Sequence, residues 1–348
     1  MWDLVQQCAS AMPREISSNL SNLEVKRVCT APALTVTTHI KQTMNRLFTI
    51  ILTVFATTVF GQINMEDSTA QVISYWNIGD KQSYSMSLQK IKLKAADTTE
   101  NVLMTYDVDI TVIDSTENSY LVEWFYNNYK TNSTNEIVKK ITALSEDIKV
   151  IIETDEFGAI KGVQNWKEVS EYMKKSIQPV RDEYKNVPQL EQMFNQIEGM
   201  YTTKQGIEAA AIQDAQQFHT FHSGKYLLGE VLEIPLQVPN MYDQNNPLDS
   251  KVTLYLDELN PDDNNFIIRS SQEVDSEQLT TVTFDYLKSM SKSMKTPAPK
   301  KEDIGQLTNV TTTASRIHGT GWLIYSIQTK TVEAPGTTNI EERIIEIK

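Results

Sequence analysis

Two histidines stand three residues apart in the segment His219-Thr220-Phe221-His222. On a helix, side chains at positions i and i+3 lie on one face, so both imidazoles can reach one metal ion. The sequence has no H-E-x-x-H motif and its spacing identifies no third ligand. The alternative is a polar helix end, where histidine is common. We therefore treat His219 and His222 as a two-ligand candidate and expect no metal or cofactor.

The sequence contains none of the motifs that carry nucleophilic or nucleotide chemistry. It lacks G-x-S-x-G, G-x-x-x-x-G-K-[ST] and G-x-G-x-x-G. Asp262-Asp263-Asn264 lacks the glycine and the later glutamate of an EF-hand, which favours a solvated turn. We expect a protein that is not an enzyme. A metal-dependent hydrolase is the alternative, and it would need carboxylates that converge on the histidine pair.

Aromatic residues are concentrated on three predicted strands, where they could line a ligand cavity. Trp124 and Tyr126 belong to the first strand, Tyr255 to the second, and Trp322 and Tyr325 to the third. Aromatic side chains on the concave face of a curved sheet can hold an apolar ligand. The alternative is that these rings form the core beneath the helices, as aromatic residues commonly do.

Alternating apolar residues predict the strands that would carry these rings. Val102–Ile113 alternates cleanly, and Tyr120–Tyr129 is aromatic and β-branched throughout. Further strands follow Ile148 and, after a helical stretch, Lys225. In Ser83–Lys94 the apolar phase changes, which predicts a bulge or bend near Gln89-Lys90. The order of elements is strands, helices, strands, one helix and strands, so a parallel βαβ sheet is not expected. The sequence predicts an α+β fold: a large curved antiparallel sheet, half-barrel-like, with helices packed on one side.

Helices are predicted as an insertion at about residues 165–221 and again from Ser276 to Met294. Asn165 is followed by Glu168, the spacing of a capping box. Pro188 opens a second helix, and Thr203–Phe221 reads as a third. The prediction is a single domain over 62–348, and the alternative is two tandem sheets divided near residue 222.

The segment from Met44 to Gly61 has the pattern of a secretion signal. Arg46 precedes an uncharged run of fourteen residues, and Val59 and Gly61 are the small residues of a cleavage site before Gln62. A transmembrane helix needs about 20 apolar residues, so this run is too short to span a membrane. The remaining alternative is a buried helix. Residues 1–43 would then be a non-native or unstructured extension. The predicted mature chain has no transmembrane segment.

Composition supports an exported and strongly acidic protein. Both cysteines, Cys8 and Cys29, precede residue 62, so the predicted mature chain has no thiol. It holds 42 acidic and 27 basic residues, a net charge of −15, against −13 for the whole chain. Such a field repels nucleic acid and anionic membrane surfaces. A large cysteine-free chain suits the periplasm or cell surface of a Gram-negative bacterium.

Three phrases resemble exported proteins of the Bacteroidetes. They are TTVFGQ, VIIETDEFGAIKGVQNWKEV and GTGWLIYSIQTKTV, which begin at Thr57, Val150 and Gly319. The resemblance implies export and no particular activity. The predicted architecture also resembles the half-barrel of LolA/LppX-type lipoprotein carriers, although no cysteine follows the signal here.

The predicted function is that of a non-enzymatic protein of the periplasm or cell envelope. It would bind an apolar or lipid-like ligand between the sheet and the helices. The alternative is an interaction or scaffolding protein of the envelope, with an envelope protein as its partner and an exposed apolar patch instead of a pocket.

Overall fold

The computed structural model describes residues 62–348, apart from residues 96, 186–187, 211, 241, 243–245, 295 and 298. The predicted extension 1–43 and signal 44–61, with Gly61, lie outside the described residues. Gln62, the predicted first residue after cleavage, is described. Its side chain is buried, and its Nε2 donates a hydrogen bond to the carbonyl oxygen of Ile73.

Eleven of the described strands form one open antiparallel sheet in the order β7-β6-β5-β4-β3-β14-β13-β12-β11-β10-β9. Because the last strand pairs with β3, strands from before and after the helical insertion share one sheet. The alternative of two tandem sheets therefore does not occur. The strands are β3 Lys81–Lys94, β4 Asp97–Thr116, β5 Ser119–Thr131, β6 Lys149–Asp155, β7 Ile160–Val163, β9 Val231–Val238, β10 Leu248–Asn260, β11 Asn265–Val274, β12 Thr308–His318, β13 Leu323–Ala334 and β14 Thr337–Ile347.

A second, three-stranded sheet pairs β1 (Ile63–Asn64), β2 (Thr69–Gln71) and β8 (Lys225–Leu227). It joins the beginning of the described chain to the segment that follows the helices. Val72, the residue after β2, donates its N–H to Gly224 O at 2.9 Å and accepts from Ser223 N at 2.9 Å. These bonds fix the chain between β2 and β3 against the end of the helical insertion.

The apolar face of the main sheet follows from the two-residue period of its strands. In β4, Val108, Ile110 and Val112 are fully buried, while the residues between them face the other side. The same alternation continues on β5 with Val122 and Trp124. One continuous core forms against this face, which we call the inner face.

The described helices are α1 Glu136–Thr142, α2 Trp166–Glu183, α3 Pro188–Met200, α4 Lys204–Ala210, α5 Gln213–His219, α6 Ser276–Met294 and α7 Lys301–Ile304. A 3₁₀ turn, Ala143–Ser145, follows α1. In α2, Val169, Met173 and Ile177 are buried at helical spacing, so this helix packs its apolar stripe into the core. None of the described helices has both the length and the apolar composition that a membrane-spanning helix requires.

Two local predictions for the helices are wrong. The segment Thr203–Phe221 forms α4 and α5 instead of one helix, and Ile212 is the residue before α5. Asn165 precedes α2, but its side chain makes no capping hydrogen bond. Its Oδ1 accepts from Ile151 N at 2.8 Å, and its Nδ2 donates to Lys149 O at 2.9 Å. The amide therefore completes the edge of β6 in place of the helix end.

The sheet is strongly curved, as the contacts of the segment between β2 and β3 show. Tyr120 on β5 donates its hydroxyl to Ser74 O at 2.9 Å, and Tyr75 N donates to Thr320 O at 3.2 Å. Thr320 lies in the turn between β12 and β13, four to five strand spacings from β5. In a flat sheet that separation would be about 19–24 Å. Two consecutive residues can bridge it only because the sheet curls around them.

Candidate ligand-binding face of the sheet

Aromatic rings close one end of the inner face. We call this cluster the aromatic end; it comprises Trp76, Trp124, Phe218, His219, His222 and Trp322. Trp76 stacks on Trp322 with ring centroids 4.6 Å apart. Phe218 on α5 meets Trp124 edge-on at 5.5 Å. All six side chains are buried, so protein groups occupy the ring faces.

The structure divides the five predicted cavity residues between the two faces of the sheet. Trp124, Tyr126 and Trp322 are buried on the inner face. Tyr255 lies between the buried Leu254 and Leu256 and therefore points to the outer face.

Tyr325 also points outward, because the next residue along β13, Ser326, is fully buried on the inner face. The three inner rings, those of Trp124, Tyr126 and Trp322, are closely packed. This packing agrees with the alternative prediction that the aromatic residues form the core.

The two histidines lie side by side in the aromatic end, with ring centroids 4.9 Å apart. His219 Nδ1 lies 2.6 Å from Gly158 O, and His222 Nε2 lies 3.0 Å from Gly321 O. A carbonyl oxygen only accepts, so these two nitrogens carry the protons. The other nitrogen of each neutral ring, Nε2 of His219 and Nδ1 of His222, then offers a lone pair.

Burial keeps both imidazoles neutral. It lowers the pKa of His219 well below its usual value, and the neighbouring His222 lowers it further. Burial also lowers the pKa of His222 to about 4, against the opposing effect of its bonds to Gly321 and His219. Neutral imidazole is the form that can bind a metal ion.

A third metal ligand does not accompany the histidine pair. Among the described residues, no group of three or more His, Cys, Asp or Glu side chains is close enough to hold a metal ion. Asp155, three residues before Gly158, instead accepts a hydrogen bond from Ser223 Oγ at 3.2 Å. The described residues therefore offer two nitrogen ligands and no convergent carboxylate.

Several polar atoms of the aromatic end have no hydrogen-bond partner within the described part of the chain. They include the indole nitrogens of Trp76 and Trp124, the hydroxyl of Ser74, and the free nitrogens of His219 and His222. Two indole donors and two imidazole acceptors can together satisfy a small polar group such as a water molecule. Such a polar group would form a buried bridge between α5 and the loop before β3.

A buried ion pair fixes α5 on the inner face. Arg343 on β14 lies with its Nε 3.2 Å from Asp214 Oδ1, and its Nη2 donates to Gln213 Oε1 at 2.6 Å. Tyr106 on β4 donates its hydroxyl to Asp214 Oδ2 at 2.7 Å. Burial raises the pKa of Asp214, and Arg343 and Tyr106 oppose that effect. The pair ties the helix to two strands of the sheet.

Beyond this ion pair, the inner face carries a small charged pocket of about 40 Å³. We call it the lysine pocket. The strand register arranges its floor in two rows across β3, β14 and β13. The first row is Lys90, Glu341 and Lys330, and the second is Lys92, Asn339 and Val332. Glu100 on β4 lies opposite Lys92 and completes the lining.

The charged side chains of the lysine pocket differ in whether they have a direct ion-pair partner. Glu341 lies 3.5 Å from Lys90 Nζ and 3.4 Å from Arg343 Nη2. Burial raises the pKa of Glu341, but Arg343, Lys90 and Lys330 together more than offset it and leave that pKa lowered. Lys330 Nζ has no ion pair or hydrogen bond with any described residue. Burial lowers the pKa of Lys330, with Glu341 opposing and Lys90 adding to the effect.

The change of apolar phase along Ser83–Lys94 is the sequence signal of this pocket. The register between β3 and β14 runs without interruption through Gln89 and Lys90, so the first of the two predicted alternatives there, a bulge, is wrong. A register shift occurs later, between Lys92 and Leu93, in the pairing with β4. The apolar phase changes because the inner face itself becomes charged beyond Leu88. Lys90 and Lys92 stay on that face, while Ile91 and Leu93 face outward.

Comparisons with known proteins leave the function open. No protein-family model and no curated protein matches the chain. A Bacteroides fragilis protein, provisionally described as exported and as having a YmcC-like fold, is 7% identical with a TM-score of 0.21, over 80% of this chain and 100% of that one. An outer membrane channel of Pseudomonas putida is 6% identical with a TM-score of 0.15, over 82% and 100%. Scores this low carry no argument about fold or function, and the likeness to LolA/LppX-type carriers stays a prediction.

Proposed function

We propose that this chain is an exported protein of the periplasm or cell envelope that binds a ligand on the inner face of its open sheet and performs no catalysis. Export is supported by the signal-like sequence from Met44 to Gly61. Binding is supported by the lysine pocket, the observation that carries the proposal. It is a concave site with converging polar groups, the usual form of a small-ligand site.

The position of the lysine pocket favours the charged end of the inner face, and not its aromatic end, as the ligand site. The rings of Trp124 and Trp322 are covered by other side chains. Lys90 and Lys330 are only partly buried, so a molecule from solvent can reach them. At about 40 Å³ the pocket is much smaller than the roughly 300–1,000 Å³ of a drug-sized cavity. It fits the polar group of a ligand whose remaining part lies along the sheet.

Expression of the full chain in a Gram-negative host tests the export half of the proposal. Fractionation and N-terminal sequencing should find a periplasmic protein that begins at Gln62. Replacing Leu52 by arginine, which puts a charge into the apolar core of the signal, should keep the chain in the cytoplasm. A mature form that begins before Asn45, or wild-type protein found only in the cytoplasm, would refute export.

A second candidate function, an interaction protein of the envelope, is favoured by an exposed apolar patch. Leu227, Leu228 and Val231 are 42%, 42% and 57% exposed where β8 passes into the edge strand β9. Contiguous exposed apolar residues mark interaction sites. Crosslinking in intact cells should capture a partner with the wild type and lose it with Val231→Lys. Identical crosslinks in both would remove this candidate.

A further inference from the structure

We propose that the lysine pocket binds the carboxylate group of an acidic ligand. This inference rests on the proposed function, because it names the chemical class of the ligand that the inner face would take. The proposed group is a singly charged oxyanion, and Lys330 is its principal partner.

The first argument is the unpaired ammonium of Lys330. Glu341 lies directly opposite Lys330 in the register of β13 and β14. Its carboxylate nevertheless contacts Lys90 and Arg343 instead. A partly buried ammonium that makes no direct ion pair or hydrogen bond has lost hydration that only the more distant charge of Glu341 offsets. An incoming carboxylate would supply a direct partner.

The second argument is the charge balance around the pocket. Three lysines and two glutamates line it, a local charge of +1 within a chain of net charge −13. Glu341 forms an ion pair with Lys90, and Glu100 stands opposite Lys92 in the strand register without a direct ion pair. One positive charge remains, which matches one carboxylate better than a doubly charged phosphate.

The third argument is size and donor chemistry. The pocket of about 40 Å³ exceeds the roughly 10–15 Å³ of cavity volume that one water molecule needs, so it has room for a group of a few atoms such as a carboxylate. The side chain of Asn339 lies in the row beside Glu341 and can donate a second hydrogen bond. Val332, next in the same row, offers an apolar wall to the carbon atom that carries the carboxylate.

The test is a titration of the full chain with sodium octanoate, sodium acetate and sodium phosphate, followed by calorimetry at low salt. We expect octanoate to bind and Lys330→Gln to weaken it at least tenfold. Lys175→Gln removes the same charge from an exposed position on α2 and should leave the affinity unchanged. Equal affinity for acetate and octanoate would identify a free small anion as the ligand. Tighter octanoate binding would identify a ligand with an apolar chain.

A second measurement keeps the test decisive if Lys330→Gln folds poorly. Reductive methylation of the wild-type protein, read by peptide mass spectrometry, should modify Lys330 more slowly in the presence of octanoate and leave Lys175 unaffected. Three results would overturn the proposal: no binding of any carboxylate, phosphate bound in preference, or Lys330 unprotected. None of these bears on export, which the N-terminal sequence tests separately.

Discussion

At the scale of single residues, the sequence located the polar groups but not their partners. His219 is the last residue of α5 and His222 lies in the turn after it, not on the same helix face as predicted, yet the two rings lie 4.9 Å apart. Their hydrogen bonds to Gly158 and Gly321 could not be foreseen, because those carbonyls are 61 and 99 residues away in the chain. The place of Lys330 in the pocket could not be predicted. The sequence of its own strand does not show the strand register that brings Lys90 and Arg343 near it.

The buried histidines should make the stability of the protein fall in mild acid. Their pKa values are lower in the folded than in the unfolded state, so the unfolded state binds more protons. The stabilisation is complete above about pH 6.5, the ordinary value for histidine, and is lost as the pH falls towards 4. For His222 alone, the shift to about 4 corresponds to about 3 kcal/mol. Urea unfolding between pH 7.5 and 4.5 measures this loss.

The matched control for this pH dependence is the double variant His219→Gln/His222→Gln. Glutamine keeps a polar amide at each position and does not titrate in this range. The slope of the unfolding free energy against pH should flatten in the double variant. An equal slope in both proteins would show that other groups cause the acid sensitivity.

Breaking the buried ion pair of Asp214 should cost far more than breaking an exposed one. Arg343→Leu leaves a buried carboxylate without its cation, and we expect a loss of about 3–5 kcal/mol in unfolding free energy. The control is Arg269→Leu, which removes the exposed partner of Asp257 and should cost less than about 1 kcal/mol. Denaturant unfolding of both variants compares them, and similar losses would contradict a fixing role for Arg343.

At the scale of elements, strands were predicted better than helix boundaries. Clean alternation in Val102–Ile113 predicted β4, because a period of two is the primary sequence signal of a half-buried strand. Thr203–Phe221 was read as one helix because its composition is helical throughout, yet the chain needs a break near Ile212 so that α5 can turn onto the inner face. Asn165 has a capping spacing, but the open edge of β6 provides competing partners for its amide.

The turn between β12 and β13 should tolerate no side chain at Gly321. This residue has φ +84°, and a Cβ there would lie 2.5 Å from Ile73 O. Gly336, in the turn between β13 and β14, has φ +74° but no atom within 4 Å of its Cβ position. Gly336→Ala should therefore cost only the left-handed backbone penalty, about 1–2 kcal/mol. Gly321→Ala should cost at least ~1 kcal/mol more, because the loop before β3 must move.

Thermal or urea unfolding of the two alanine variants checks this difference. A larger loss for Gly321→Ala would show that the turn and the loop before β3 are in close contact in solution. Equal losses would contradict that contact, and with it the curvature that brings β12 and β5 to the same loop.

At the scale of the whole molecule, the sequence predicted the fold class but not how the inner face is divided. The order of the elements, in which strands and helices come in runs and do not alternate one by one, predicted one large antiparallel sheet with helices, and the structure confirms this. The expected apolar cavity depended on which side of each strand faces inward. That choice differs between Tyr126 and Tyr255, and register alone decides it. The inner face is consequently aromatic and filled at one end, and charged and accessible at the other.

Native mass spectrometry of the protein recovered from the periplasm tests the central claim most directly. The account predicts a polypeptide that begins at Gln62 and carries a non-covalent small-molecule mass. That mass should persist in Lys175→Gln and disappear in Lys330→Gln. A bare polypeptide in the wild type, or an added mass that Lys330→Gln keeps, would contradict ligand binding at the inner face.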